Sequence, residues 1–194
     1  MNLPPIILAS NSPRRSELLR GMGVDFTVIA SEAMESQTEQ LTASEISQLN
    51  AYRKARAVAK KHPDALVLGA DTVVAVETAL LGKPATREEA YRMLKQLQGR
   101  THRVVTGVCL LHLRTHQQKV FAENTEVTFR TLNAAQIRDY LSHIDPLDKA
   151  GAYAIQEGGE KIVENIDGSF TNVVGLPVER LQAELAAWEA VPPL

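Results

Sequence analysis

An acidic residue, Asp71, interrupts what would otherwise be one buried apolar stretch, ALVLGA–DT–VVAV. An unpaired carboxylate is costly to bury, so Asp71 should meet a cation, a cluster of hydrogen-bond donors or an open cleft. In α/β sheets such positions commonly face the ligand crevice. The alternative is a structural aspartate that accepts hydrogen bonds from nearby backbone.

The segment Ser10-Asn11-Ser12-Pro13-Arg14-Arg15 predicts an anion site at a helix N-terminus. Ser12 and Pro13 are typical of the N-cap and the first helical position. Backbone N–H groups and the helix dipole favour an anion there, and arginine grips phosphate through two donors. Two arginines in the first turn oppose the dipole, which makes sense if a polyanion lies beside them. A capped helix with solvated arginines is the alternative.

Three lysines, Lys54, Lys83 and Lys149, complete the set of candidate cations. Each of them alone is more typical of an ordinary solvated or snorkelling lysine than of a functional residue. Taken with the arginines and Asp71, these residue types suggest a triphosphate and a hard divalent metal that takes oxygen ligands. The five histidines show no metal-binding spacing.

The elements that must position these residues alternate between strands and helices. Apolar runs predict strands, and Ser, Thr or Asn caps predict helix starts. Predicted strands are 5–9, 65–70, 103–113 and 123–130, and predicted helices are 13 to about 21–23, 42–61, 86–99, 133–143 and 177–188. Thr42–Glu45 and Thr86–Glu89 match capping boxes. Residues 162–174 predict a hairpin around Asp167-Gly168. This pattern indicates a mixed α/β chain.

Composition limits the classes of function. The 194 residues are 44% hydrophobic and 23% charged, with 21 Lys+Arg against 23 Asp+Glu, which is ordinary for one globular domain. The net charge of −2 argues against nucleic acid or an anionic membrane as partner. No signal peptide or membrane span is indicated, and the single Cys109 predicts a buried inert thiol. We therefore expect a soluble, cytoplasmic protein.

The chain resembles the Maf (septum-formation-protein-like) nucleotide pyrophosphatases along nearly its whole length. The matching stretches are LASNSPRR (8–15), GADTVV (69–74), LGKP (81–84), THRVVTGV (101–108), VTFRTL (127–132), DPLDKAGAYAIQ (145–156) and NVVGLP (172–177). The resemblance implies hydrolysis of a nucleoside triphosphate to the monophosphate and pyrophosphate with Mg²⁺, Mn²⁺ or Co²⁺. It also implies a mixed α/β fold similar to the inosine triphosphatase architecture. In that fold a twisted mixed sheet is flanked by helices, with two lobes around a cleft within one domain of residues 1–194. A homodimer is implied as well.

The resemblance extends to the substrate branch. The branch acting on dTTP and UTP, and on some modified uridine nucleotides, carries the residues found here as Arg14, Thr72 and Gln156, whereas the 7-methyl-GTP branch has Trp, Gln and Glu. The Gln156 amide can donate and accept against a pyrimidine edge. The 7-methyl-GTP activity and a non-catalytic nucleotide-binding regulator of cell division are the alternatives.

The family's roles transfer by position. Asp71 is the implied general base of the reaction. Thr72 and Gln156 are the residues implied to help select the nucleobase of the substrate. The implied phosphate ligands are Ser10, Ser12, Arg14, Arg15, Lys54 and Lys83.

Two departures concern the metal-associated loop and the helix after it. The family usually has an acidic pair in this loop. Glu35 matches one member, Met34 replaces the other, and Glu32 could substitute. Glu35 and Asp71 are the implied metal carboxylates. Asn50 stands where an apolar residue is usual, and we interpret it as a packing difference only.

Overall fold

A single mixed sheet organises the computed structural model, which describes residues 3–36, 38 and 40–189. The sheet has seven strands in the order β2-β1-β3-β5-β6-β7, with β4 paired to β3. The strands are β1 Ile6–Leu8, β2 Phe26–Val28, β3 Leu66–Val76, β4 Ala79–Leu81, β5 Thr101–His112, β6 Gln117–Phe129 and β7 Val163–Asp167. The helices are α1 Pro13–Gly21, α2 Ala43–Ala59, α3 Arg87–Leu97, α4 Ala134–Ser142, α5 Gly159–Ile162, α6 Phe170–Val174 and α7 Val178–Glu189. The predicted mixed α/β class is confirmed.

Helices cover both faces of the sheet because successive strand residues point to opposite sides. In β1, Ile6 and Leu8 pack in one apolar cluster with residues of α1 and α7. Ile7 packs in another cluster with residues of α2. A third cluster lies at the far end of β3 and β5 with α3 and α4. Among the described residues, no helix has the length and apolar character that a membrane crossing requires.

The long strand β3 changes partners along one of its edges, and this creates a gap. Its first residues, Leu66 to Leu68, pair in parallel with β1. Its last residues, Val74 to Val76, pair antiparallel with β4. Neither β1 nor β4 pairs with residues 69–73 on this edge of β3. Asp71 and Thr72 therefore lie in the gap between the end of β1 and the start of β4. The register therefore places the predicted acidic residue at an opening in the sheet.

Helix α2 lies unusually close to this part of the sheet, because two facing strand positions are glycine. A Cβ on Gly107 of β5 would overlap the backbone of Ser47, and a Cβ on Gly69 would overlap the carbonyl of Ala51. The start of α2 is fixed by the predicted capping box. Thr42 accepts from the Glu45 N–H, and the Glu45 side chain accepts from Thr42. The cap and the glycines together fix where α2 lies over β3.

Two local predictions were wrong, in the C-terminal part of the chain and at α3. Residues 162–174 do not form a hairpin: β7 pairs with β6 instead, and α6 follows it. Ser169 accepts from the Asn172 N–H as an N-cap, so the capping signal outweighs the Asp-Gly turn signal. At α3, Thr86 caps as predicted, but the Glu89 side chain accepts from Ala85 rather than completing the box on Thr86.

The single cysteine matches its prediction. Cys109 is fully buried in β5, and burial raises the pKa of its thiol to about 12. Such a thiol stays protonated and unreactive in the folded protein.

The glycine contact with α2 gives a stability prediction. Gly107→Ala should lower the free energy of unfolding by about 2 kcal/mol or more, because the new methyl group overlaps helix backbone that cannot rotate away. Urea denaturation measures the change. The matched control is Gly21→Ala in α1, where the added Cβ meets nothing within 4 Å. Equal stability of the two variants would contradict the close packing.

Candidate active site

A cavity of about 500 Å³ opens at the gap beside β3. It is bounded by the loop between β1 and α1, by α2, by the turn after β4 and by the segment of residues 148–156. Most of its polar lining comes from residues that the sequence singled out: Ser10, Ser12, Arg14, Arg15, Glu35, Lys54, Asp71, Thr72, Lys83, Lys149 and Gln156. The fold therefore gathers residues that are far apart in the sequence.

A lysine between two carboxylates forms the centre of this cavity. The Lys54 Nζ donates to Asp71 Oδ1 at 2.6 Å and lies 2.6 Å from Glu35 Oε1. Asp71 is 6% exposed, so its charge is stabilised largely by Lys54 and by other donors rather than by water. Burial alone would raise the pKa of Glu35, but Lys54, through a hydrogen bond and its charge, together with Lys83 and Arg15, holds it below its ordinary value.

Arg15 is fixed by three different elements. Its Nε donates to the Gly175 carbonyl at 2.8 Å, Nη2 to Thr72 Oγ1 at 3.0 Å and Nη1 to Ser10 Oγ at 3.4 Å. Burial lowers the pKa of Arg15, while the charges of Asp71 and Glu35 oppose that shift. A guanidinium has five N–H donors, so three of them orient the side chain and the others are left for a ligand.

The loop before α1 is arranged by its own hydroxyl groups. The Ser12 N–H donates to Ser10 Oγ at 3.1 Å, and Ser12 caps α1 through the Arg15 N–H. Ser10 is buried and Ser12 is partly exposed. Both hydroxyls accept hydrogen bonds here and keep a proton that can be donated to an anion.

Arg14 does not contact the carboxylate centre; it crosses to the opposite wall. Its Nη1 donates to Asp148 Oδ2 at 3.1 Å, and its Nη2 donates to the Asp148 carbonyl at 3.3 Å. Burial would raise the pKa of Asp148, but Lys149 and Arg14 hold it below its ordinary value. This pair ties the N-terminus of α1 to the segment of residues 148–156.

Lys149 is a buried structural tie rather than an exposed cation. It is 5% exposed, and its Nζ donates to the Asp145 carbonyl at 2.7 Å and to Asp148 Oδ1 at 2.8 Å. Glu157 Oε1 lies 3.4 Å away. With these acceptors in place, Lys149 holds its loop together beside Arg14.

The remaining predicted residues lie at separate points of the cavity wall. Lys83 is exposed in the turn after β4, and its positive charge contributes to lowering the pKa of Glu35. Gln156 is exposed at the other side. Thr72 accepts from Arg15 and shares a hydrogen bond of 2.9 Å with Thr106 Oγ1, on the sheet face opposite Asp71.

Of the two loop glutamates, Glu35 lies at the site and Glu32 does not. Glu32 is exposed, with Oε2 3.7 Å from the Lys61 Nζ, whereas Glu35 contacts Lys54. Met34 is 87% exposed. The interpretation of Asn50 as a packing difference was wrong: its Nδ2 donates to Asp71 Oδ2 at 3.1 Å. A polar residue one turn before Lys54 on the same helix face was the available signal.

The donor set is compatible with a hard divalent cation. Within the described ranges, no three or more His, Cys, Asp and Glu side chains cluster as a complete metal site. The two carboxylates on Lys54 match the usual way of holding Mg²⁺, in which one or two carboxylates share the ion with substrate phosphates.

The fold and the cavity define a mixed α/β protein whose cleft combines two carboxylates with fixed guanidinium and ammonium groups, suited to a phosphate-bearing ligand. Comparison with known proteins agrees with this class. The profile of the Maf-like protein family matches residues 5–188, and the chain belongs to that family.

Curated relatives align over nearly the whole chain. The dTTP/UTP pyrophosphatase of Akkermansia muciniphila is 47% identical over 176 residues, covering 91% of this chain and 92% of the relative. That of Halalkalibacterium halodurans is 47% identical over 178 residues, covering 92% and 93%. That of Bacillus velezensis is 46% identical over 181 residues, covering 93% and 94%.

The lowered pKa of Glu35 predicts how stability depends on pH. Folding lowers the pKa of the Glu35 carboxyl group. Such a group stabilises the folded protein at pH values above the pKa it has in the unfolded chain, and this stabilisation is lost as the pH falls through the pKa it has in the folded protein. The wild-type free energy of unfolding should therefore fall more than that of Glu35→Gln between about pH 7 and about pH 3. Urea denaturation in EDTA measures both.

The control for this comparison is the same pair of proteins in a Lys54→Met background. Without the ammonium group, the pH dependence of the difference should shrink. Parallel pH curves for wild type and Glu35→Gln would contradict the ion pair as the cause.

Proposed function

We propose that this protein is a nucleoside triphosphate pyrophosphatase that converts dTTP and UTP to the nucleoside monophosphate and pyrophosphate. The observation that carries the proposal is the Lys54 ammonium group between Asp71 and Glu35, inside a cavity lined by further cations. A pocket that only bound polyphosphate would gain nothing from carboxylates facing it. The names and the coverage of the curated relatives support the same activity.

The phosphate chain binds along the cationic side of the cavity. Arg15 offers the donors that its three protein contacts leave free, and the Ser10 and Ser12 hydroxyls lie beside it. Lys54 and Lys83 add charge near Glu35. Arg14, fixed on Asp148, closes the opposite side. Such preorganised cations stabilise the charge that develops on the departing pyrophosphate.

Asp71 is the general base of the reaction. The water oxygen attacks the α-phosphorus, its proton goes to Asp71, and the α–β bridging oxygen leaves with pyrophosphate. Each carboxylate oxygen of Asp71 has one protein donor and keeps a further lone pair for the water. A divalent cation such as Mg²⁺, Mn²⁺ or Co²⁺, held by Asp71 and Glu35 with phosphate oxygens, would neutralise charge and make water more acidic.

The nucleobase is selected at the other side of the cavity. Gln156 is exposed there and presents an amide that donates and accepts, which matches the O4 and N3–H edge of uracil or thymine. Thr72 contributes to this selection by holding Arg15, and Arg14 contributes by holding the segment that begins at Asp148. Modified uridine nucleotides such as 5-methyl-UTP keep the same edge and are included in the proposed substrate class.

We also propose a domain organisation, an oligomeric state and a cellular location for this protein. The proposed organisation is one domain over residues 1–194, and the single sheet that runs from β1 to β7 in the described part of the chain supports it. By similarity to the family, the enzyme acts as a homodimer in the cytoplasm on free nucleotides.

The test is pyrophosphate release from dTTP, UTP, 5-methyl-UTP, CTP, GTP and 7-methyl-GTP, with Mg²⁺ or Mn²⁺ and with EDTA. Release should be metal-dependent and fastest with the thymidine and uridine nucleotides. Asp71→Asn should lower kcat by about 100-fold or more, because it removes the base, while the variant still folds and still binds nucleotide through the unchanged phosphate-binding cations.

Other outcomes would redirect the assignment. Preference for 7-methyl-GTP would keep the chemistry but overturn base selection by Gln156. Tight nucleotide binding without release from any nucleotide would favour a regulator. Near-wild-type rates in Asp71→Asn would show that another group is the base.

A further inference from the structure

Asn50 is a buried amide whose hydrogen bonds all go to the candidate site. It is 3% exposed and lies on α2, one turn before Lys54. The hydrogen bonds of its side chain go to Asp71 and to the backbone of Ser36, not to the backbone of α2. A packing role alone does not account for this pattern, since an apolar side chain would fill the same space without polar groups to satisfy.

The first contact is a two-point pair with the backbone of Ser36. Asn50 Oδ1 accepts from the Ser36 N–H at 2.8 Å, and Nδ2 donates to the Ser36 carbonyl at 3.2 Å. The Ser36 hydroxyl also accepts a hydrogen bond from Arg53 of the same helix. Residues 29–36 contain no helix or strand, so these bonds to α2 replace the ladder that would otherwise fix the loop.

The second contact is with Asp71. Asn50 Nδ2 donates to Oδ2 at 3.1 Å, while Lys54 Nζ donates to Oδ1 at 2.6 Å. Two α2 side chains one turn apart therefore hold both oxygens of the carboxylate and set its rotation. The same Asn50 nitrogen joins this carboxylate to the Ser36 carbonyl, next to Glu35.

We propose that Asn50 is a positioning residue that fixes Asp71 and the Glu35 loop relative to each other. The role rests on the proposed function, because it matters most if both carboxylates act together. Lys54 pairs with the Glu35 carboxylate and Arg53 bonds the Ser36 hydroxyl, but the preceding side chains do not tie the loop to the site: Met34 is exposed, and Glu32 lies near Lys61. Losing the amide leaves an Asp71 oxygen and two Ser36 backbone groups without their protein partner.

The test compares three variants with wild type. Asn50→Leu removes every hydrogen bond of the amide at similar volume. Asn50→Asp keeps the size and one acceptor but loses both donated bonds. The matched control is Ser47→Ala, one turn earlier on α2, where the buried hydroxyl donates to the Ser44 carbonyl outside the cavity.

With dTTP as substrate, both Asn50 variants should lose about 10- to 100-fold in kcat, as is usual when a partner that orients a reacting carboxylate is removed. With Mn²⁺ saturating for each variant, the KM for dTTP should change by less than about threefold, because the phosphate-binding cations are untouched. Ser47→Ala should keep the wild-type kcat. In an Asp71→Asn background, Asn50→Leu should have little further effect, since the group it orients is already gone.

A kcat within about twofold of the control in either folded variant would overturn the proposal, as would a loss confined to KM. If Asn50→Leu does not fold, the kcat of Asn50→Asp relative to the control decides whether the proposal holds.

A second measurement separates this inference from the proposed function. Binding of Mn²⁺ with a non-hydrolysable α,β-imido analogue of dUTP, followed by electron paramagnetic resonance, does not require turnover. It should weaken about 10- to 100-fold in Asn50→Leu and stay unchanged in Ser47→Ala. A wild-type protein without activity would contradict the pyrophosphatase proposal but not the positioning role of Asn50. Unchanged Mn²⁺ binding in Asn50→Leu would contradict the positioning role.

Discussion

The ammonium group of Lys54 is the charge on which the rest of the site depends. Asp71 comes from β3 and Glu35 from a loop, and two nearby carboxylates would repel each other without a cation between them. Lys54 comes from α2, so the helix and the sheet must keep a fixed distance for all three groups to meet. The site is therefore a constraint on how α2 packs against β3.

The fold meets this constraint through small residues and a change of strand partners. Gly69 and Gly107 let α2 approach the sheet, and the capping box at Thr42 fixes where the helix begins. The gap between β1 and β4 leaves Asp71 open to a ligand. On the other face, Arg15 is held by contacts that reach β3 and the turn after α6. Packing and chemistry are thus set by the same few positions.

Much of this could be predicted from the sequence, because the signals were local. Caps predicted the starts of α1, α2 and α4, and the interrupted apolar run identified Asp71 as a residue in need of a partner. The roles of Asn50 and Lys149 could not be predicted, because each depends on segments that are distant in sequence or irregular in structure. The hairpin was predicted wrongly because Asp167-Gly168 and Ser169 carry competing local signals, and the docking of α6 decided between them.

In the proposed reaction, water attacks the α-phosphorus of the nucleotide in the cavity beside Asp71. The most direct measurement is hydrolysis of dTTP in H₂¹⁸O with mass spectrometry of both products. We predict that the label enters the nucleoside monophosphate and that pyrophosphate stays unlabelled, because the bridging oxygen leaves with pyrophosphate. Label in pyrophosphate, or release of single phosphates, would contradict the account.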